Sequence, residues 1–370
     1  MTPTDRPRLA VRSPADLIAA VPYLLGFHPT DSVVVVAMRD RRITFAARAD
    51  LRDLRDLAAL PDHTDVPHLA DLPDLADLPD PADLPDPAGH LASVVARQHV
   101  ETATVLGYGP AALVTPAVDA VCAALAVAGL SVLDALRVTE GRYWSYLCAE
   151  PECCPPDGTP YDVGASEVSA AAVFAGQVAL PDRAALVAQV APVTGPARSA
   201  VSRATARAER RLAELLDEAA TTDQRGERVI RSAGVAAVRS ALRRHRRGQV
   251  LSDGEVAWLS VLLTRLPVRD HAWERTDGRD ADIALWADVL RRAEPALIAV
   301  PAALLAFAAW RAGQGALAAV ALERALAEHP GHSMALLIDD LLRRGVPPSE
   351  LDGWPAVSNS GVLRRRRRVR

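Results

Sequence analysis

Three of the four cysteines in this chain fall within seven positions, in SYLCAEPECCPPDGTPY (145–161), at the spacing Cys148-x4-Cys153-Cys154. Thiolates in such a cluster bind soft metal ions, exchange disulfides or attack electrophiles. A structural zinc ion takes four tetrahedral ligands, usually from two Cys-x2–4-Cys pairs. Here only Cys122 is left over, inside a predicted helix, and neighbouring cysteines in an extended chain point apart. The spacing therefore disfavours a self-contained zinc knuckle, and a fourth ligand would have to come from His28, Asp157 or another chain. Cys148 and Cys153 could also close a small disulfide loop, and a nucleophilic cysteine would need a base such as His28 within reach. The expected reading is plainer: a turn braced by Pro155, Pro156 and Gly158 whose thiols pack as small apolar groups. No cofactor is expected, though the cluster could take zinc.

Two other stretches could carry chemistry. GFHPTDS (26–32) places His28, Thr30, Asp31 and Ser32 at the entry to a valine-rich strand. Polar loop residues at a strand end are a common place for ligand contacts, although Asp31 or Ser32 could simply bond backbone groups in a turn, with His28 half-buried. GYGP, with Gly107, Tyr108 and Gly109, ends a strand and leads towards a helix. Glycine there lets a ligand approach the backbone, but the stretch lacks the Gly-x-Gly-x-x-Gly fingerprint. All 42 basic residues are arginine, so a P-loop nucleotidase is excluded for want of its lysine.

The elements that must position these groups follow from pattern. Ser13 caps a short helix over 14–25, with Pro14 in its first turn. VVVVAM (33–38) and ITFAARADL (43–51) read as an antiparallel hairpin, the valine run as a strand buried on both faces. A hexapeptide then recurs over 69–86 (LADLPD, LADLPD, PADLPD), its prolines forbidding helix and internal strand, so 52–88 is expected to be a flexible acidic insertion. A helix near 90–99, a strand at 101–107 and a helix at 115–128 follow, the last with a stripe of Val118, Cys122, Leu125 and Ala126. A second hairpin, 132–141 with 142–150, turns at Glu140-Gly141. The fold class expected for 1–164 is α/β or α+β, with a mixed sheet of roughly five strands.

From 165 to 355 an all-α domain is expected, with helices near 166–177, 182–191, 196–220, 224–247, 253–265, 279–292, 299–312, 315–328 and 332–344. Ala318, Leu322, Ala325 and Pro330 follow Gly313 at the spacing of the second helix of a tetratricopeptide unit, which suggests tetratricopeptide-like helix pairs. Arg243–Arg247 suits a helix C-terminus through the macrodipole, and Arg269-Asp270, His271, Trp273 and Glu274 read as a linker ion pair. Residues 356–370 form a basic tail with six arginines in the last seven positions. The net charge of −4 argues against a nucleic-acid partner. The N-terminus has no apolar core of the secretory kind, and the apolar, uncharged run 295–310 is sixteen residues and short of a membrane span. A cytoplasmic protein is expected.

RSPADLIAAVPYLLGFHPTDSVVVV, the AARADL strand, the Ser-Tyr-Leu-Cys…Cys-Cys-Pro segment and LLAFAAWRAGQGALAAVALERALAEHPGHSMALL together resemble domain-of-unknown-function family 4192. The resemblance covers nearly the whole chain and implies an actinobacterial, cytosolic setting; it brings no catalytic residue with it. The leading functional expectation is a non-catalytic interaction or regulatory protein with a protein partner on its helical domain. The alternative is a small-ligand binder or enzyme whose site joins the FHPTDS loop to the cysteine turn, which requires the two to meet in space.

Overall fold

In a computed structural model the described residues are 11–39, 42–55, 86–220 and 225–351. They belong to two compact units. The first comprises the chain up to Gln189 with Gln314–Val320 and Asp339–Val346; the second comprises Val190–Gly313, Ala321–Ile338 and a stretch from Pro347.

In the first unit the valine run forms β1 (Ser32–Arg39), and its neighbours are β2 (Arg42–Asp50) on one side and β3 (Thr102–Tyr108) on the other, both antiparallel to it. β4 (Ser131–Thr139) lies parallel to β3, and β5 (Arg142–Ser145) and β6 (Thr159–Pro160) complete a mixed six-stranded sheet of order β2-β1-β3-β4-β5-β6. The expected count was one short because β6 is only two residues, one of them a proline tolerated on an edge. Glu140 and Gly141 both have positive φ, as a tight two-residue hairpin turn requires.

Burial on both faces of β1 has an observable cause. Val33 and Val35 join the core made by α2 (Leu51–Arg55), α3 (Pro87–Ala96) and α4 (Ala111–Val127), while Val34 and Val36 face α1 (Pro14–Leu25). α1 is capped by Ser13 with a reciprocal bond from Asp16 and packs on α5 (Glu167–Phe174). The core stripe of α4 is Val114, Ala117, Val118, Val121 and Leu125; Ala126, expected in it, is exposed. At Gly107 a Cβ would stand 2.2 Å from Val114 Cγ1, so the glycine permits close contact of α4 with β3. The expected insertion 52–88 is helical at its borders, in α2 and in α3 with its Asp86 cap; residues 56–85, which contain most of the hexapeptide repeat, lie outside the described residues, as does the 356–370 tail.

The region after β6 is helical among the described residues. α6 (Arg183–Val190), α7 (Gly195–Ala220), α8 (Arg225–His245), α9 (Asp253–Leu262), α11 (Asp280–Arg292), α12 (Ala299–Arg311), α13 (Gly315–Glu328) and α14 (Ser333–Arg343) fall where periodicity expects them. One helix was not expected: α10 (Leu266–Arg275) holds Arg269, Asp270, His271, Trp273 and Glu274, which had read as linker. Pro267 sits in its first turn, where no intrahelical N–H is missed.

The arginine cluster ending α8 does more than suit a dipole. Arg246 grips the fully buried Asp282 of α11 through Nε to Oδ1 at 2.9 Å and Nη2 to Oδ2 at 2.8 Å, and the Asp277 N–H donates to Oδ2 as well. Among the described residues no helix is long and apolar enough to cross a membrane.

Two stability outcomes follow. Asp282→Ala leaves Arg246 and the Asp277 N–H without their acceptor and lowers the free energy of unfolding by about 3 kcal/mol in a urea titration. Gly107→Ala forces the contact with Val114 and Val118 and costs about 1–3 kcal/mol in the same measurement.

Candidate functional site

The structure brings together part of the expected ligand loop. Ser32 is the cross-strand partner of Tyr108, and Asp31 Oδ1 lies 3.4 Å from where a Cβ on Gly109 would stand. Asp31, Ser32, Tyr108 and Gly109 thus share the end of the sheet at which the parallel strands β2, β3 and β4 terminate. Asp31 has φ 43° and its carbonyl accepts the Leu51 N–H, so it sits in a turn leading into β1. Ser32 is fully buried, and burial pushes the Tyr108 phenol well above its ordinary pKa. His28, expected half-buried, is exposed, and its N–H bonds the Leu180 carbonyl.

The cysteine turn lies elsewhere. β5 pairs with β4 from Arg142 opposite Thr139 to Ser145 opposite Leu136, so the chain runs away from the Ser32–Tyr108 end before reaching Cys148. β1 and β5 are three strand spacings apart, about 14 Å. The composite site that joins FHPTDS to the cysteines is therefore not assembled by this sheet.

What the chain does build is a stapled loop between β5 and β6. Ser145 Oγ accepts the Leu147 and Cys148 N–H groups at 3.2 Å and donates to Asp134 Oδ1 at 2.7 Å. The Trp144 indole N–H donates to the Pro156 carbonyl and Arg142 donates to those of Asp157 and Gly158. Gly158 has φ 80° and presses on the Trp144 ring, where a Cβ would come within 2.5 Å of the indole. Within the loop both Cys153 and Cys154 N–H groups donate to the Glu150 carbonyl. The two neighbours are therefore in a tight turn and not in extended chain, and the sulfurs of Cys148, Cys153 and Cys154 all lie within 4.8 Å of one another. Cys148 and Cys154 are half-buried and Cys153 is exposed. A hydrogen bond from the Cys154 thiol, then one from the Glu150 backbone, lowers the Cys148 pKa, and the same contact pushes Cys154 up to about 12. Cys122 is separate: it packs on the core from α4, and burial with Asp119 nearby pushes it up to about 11.

A third feature was not visible in the sequence. An open cleft of about 660 Å³ lies between the start of α1 and the far end of the sheet. Leu17, Met38 and Leu136 give it apolar surface; Arg12, Arg39, Glu101 and Asp134 supply charge, and Ser13, Thr102 and Thr104 supply hydroxyls. Asp134 lies on this face with Leu136, two residues along β4, and a bulge precedes it. Ala103 and Thr104 pair with Val132 and Asp134, which leaves Leu133 as the extra residue and shifts Asp134 into register with Thr104.

A family model, described as a domain of unknown function (DUF4192), matches residues 14–74 and 75–349. The chain belongs to that family. No curated protein and no solved structure matches it. The match takes in the FHPTDS loop, the cysteine turn and the cleft residues of this DUF4192 chain alike.

The thiols should be told apart by alkylation of the reduced, chelator-treated protein across a pH series. Cys148, with its pKa lowered, carries more thiolate at a given pH and reacts first; Cys122 and Cys154, both raised, react last. Mass spectrometry of peptides at increasing times reads the order.

Proposed function

We propose that the α/β unit binds a small zwitterionic molecule in the cleft at the start of α1. The observation that carries this reading is the make-up of the cleft wall, with two arginines and two carboxylates around apolar side chains. Ligand sites in general are concave, largely apolar and fitted with a few converging polar groups. Asp134 on β4 is in register with Val36 of β1 through Thr104, so Arg39 lies two strand spacings across and three residues along from it, about 14 Å between backbones. That span suits a molecule with its anionic group towards the arginines and its cationic group towards Asp134. A free amino acid or short peptide has this charge pattern. On the same footing we set the protein in the cytoplasm of an actinobacterium, as its sequence resemblance implies.

Calorimetric titration of the full chain with a panel of amino acids and dipeptides tests the reading. At least one member should bind, Arg12→Ala should weaken it about tenfold through loss of a charge-assisted bond, and Leu133→Trp should block the cleft. Absence of binding across the panel, or binding indifferent to Leu133→Trp, would remove this function.

A further inference from the structure

We propose that Cys148, Cys153 and Cys154 form a binding site for a single thiophilic d10 cation, Zn2+ or Cu+, outside the cleft. The sulfurs already lie within 4.8 Å of one another. Ligands about 2.3 Å from a tetrahedral zinc sit about 3.8 Å apart, so closing on an ion requires only small side-chain rotations.

The local backbone accounts for how so short a spacing converges. Adjacent cysteines diverge in a strand, but here the Glu150 carbonyl accepts both Cys153 N–H at 3.1 Å and Cys154 N–H at 2.7 Å. The chain is thereby wound into a turn that returns both residues towards Cys148. The turn sits in a loop fixed at both ends: by Ser145 Oγ on the Cys148 side, and by the Trp144 and Arg142 bonds to Pro156, Asp157 and Gly158 on the other. Such outer bonds hold ligands in place for a metal. None of the three is a member of the core clusters on either face of the sheet, whereas Cys122 packs on one of them.

The donor set selects the class of ion. Three sulfurs favour soft or borderline cations over Mg2+ or Ca2+, which take oxygen. Among the described residues no histidine or carboxylate joins the group. Zn2+ would fill its fourth position with water from the exposed Cys153 side, while Cu+ can stay three-coordinate. In either case three S–H groups lose their protons to solvent, three sulfur–metal bonds form, and no electron is transferred.

The test uses the full chain, purified under reductant and stripped with a chelator. Titration with Zn2+ and with Cu+, each against a competing chelator, should show one ion per chain with release of about three protons as pH-buffered calorimetry reads it. The competition between the two ions decides which is preferred. Co2+ in place of Zn2+ should give sulfur-to-cobalt charge-transfer absorption in the near ultraviolet. Cys148→Ser, Cys153→Ser and Cys154→Ser should each weaken binding at least about tenfold, a loss that even outer-sphere changes bring, and Cys122→Ser should leave it unchanged. Should a variant fail to fold by circular dichroism, protection of the wild-type trio from alkylation by the added ion gives the same reading. A chain that takes up neither ion, a folded triple-serine variant that binds as tightly, or a Cys148–Cys154 disulfide in protein kept under reductant would each overturn the site.

Discussion

Burial of β1 on both faces is the constraint on which the α/β unit depends. Val33 to Val36 are all fully buried, alternately against the α3–α4 layer and against α1. At roughly 1.5–3 kcal/mol for each such side chain, the four contribute about 6–12 kcal/mol of gross apolar transfer. That is as large as the whole net stability of an ordinary domain, about 5–15 kcal/mol. A strand so placed can carry no charge along its centre. Ionisable groups are therefore driven to the ends of the sheet and to its β4–β6 side, where every candidate site in this unit is found. Gly107 belongs to the same constraint: it faces Val33 across the β1–β3 ladder, and its missing side chain admits α4 against β3.

Much of this was legible because the physics is local. Four consecutive valines announce a strand without a solvent face, Glu140-Gly141 announces a hairpin turn, and Ser13 with Asp16 and Pro14 announces the start of α1. The helices after β6 were legible from periodicity, except α10, where Pro267 looks like a break until it is placed in the first turn. The six-residue repeat could be read for what it forbids, though it lies outside the described residues.

The features that escaped are those set by pairing across the sheet. The bulge at Leu133 depends on how β4 registers with β3, and it sets Leu133 beside Asp134 at the cleft. Arg39, Glu101 and Arg12 become neighbours of one cleft through three separate elements, so no sequence window contains them. The cysteine turn failed in a different way. Its spacing argued against convergence on the assumption of extended chain, and two hydrogen bonds to one carbonyl, that of Glu150, reverse the conclusion.

Asp134 shows how the cleft and the cysteine loop share a foundation. Its bonds to the Ala135 N–H and the Ser145 hydroxyl both fall on Oδ1. An ionised carboxylate offers about four acceptor positions across its two oxygens, so Oδ2 can serve a cation in the cleft while Oδ1 keeps hold of Ser145. Ser145 in turn spends its lone pairs on the Leu147 and Cys148 N–H groups. A single residue, Asp134, thus supports the first turn of the cysteine loop on one side and lines the cleft on the other. At the Asp31–Gly109 end, by contrast, the Asp31 carbonyl is committed to the Leu51 N–H, while the buried Ser32 and Tyr108 hydroxyls have no hydrogen-bond partner among the described residues.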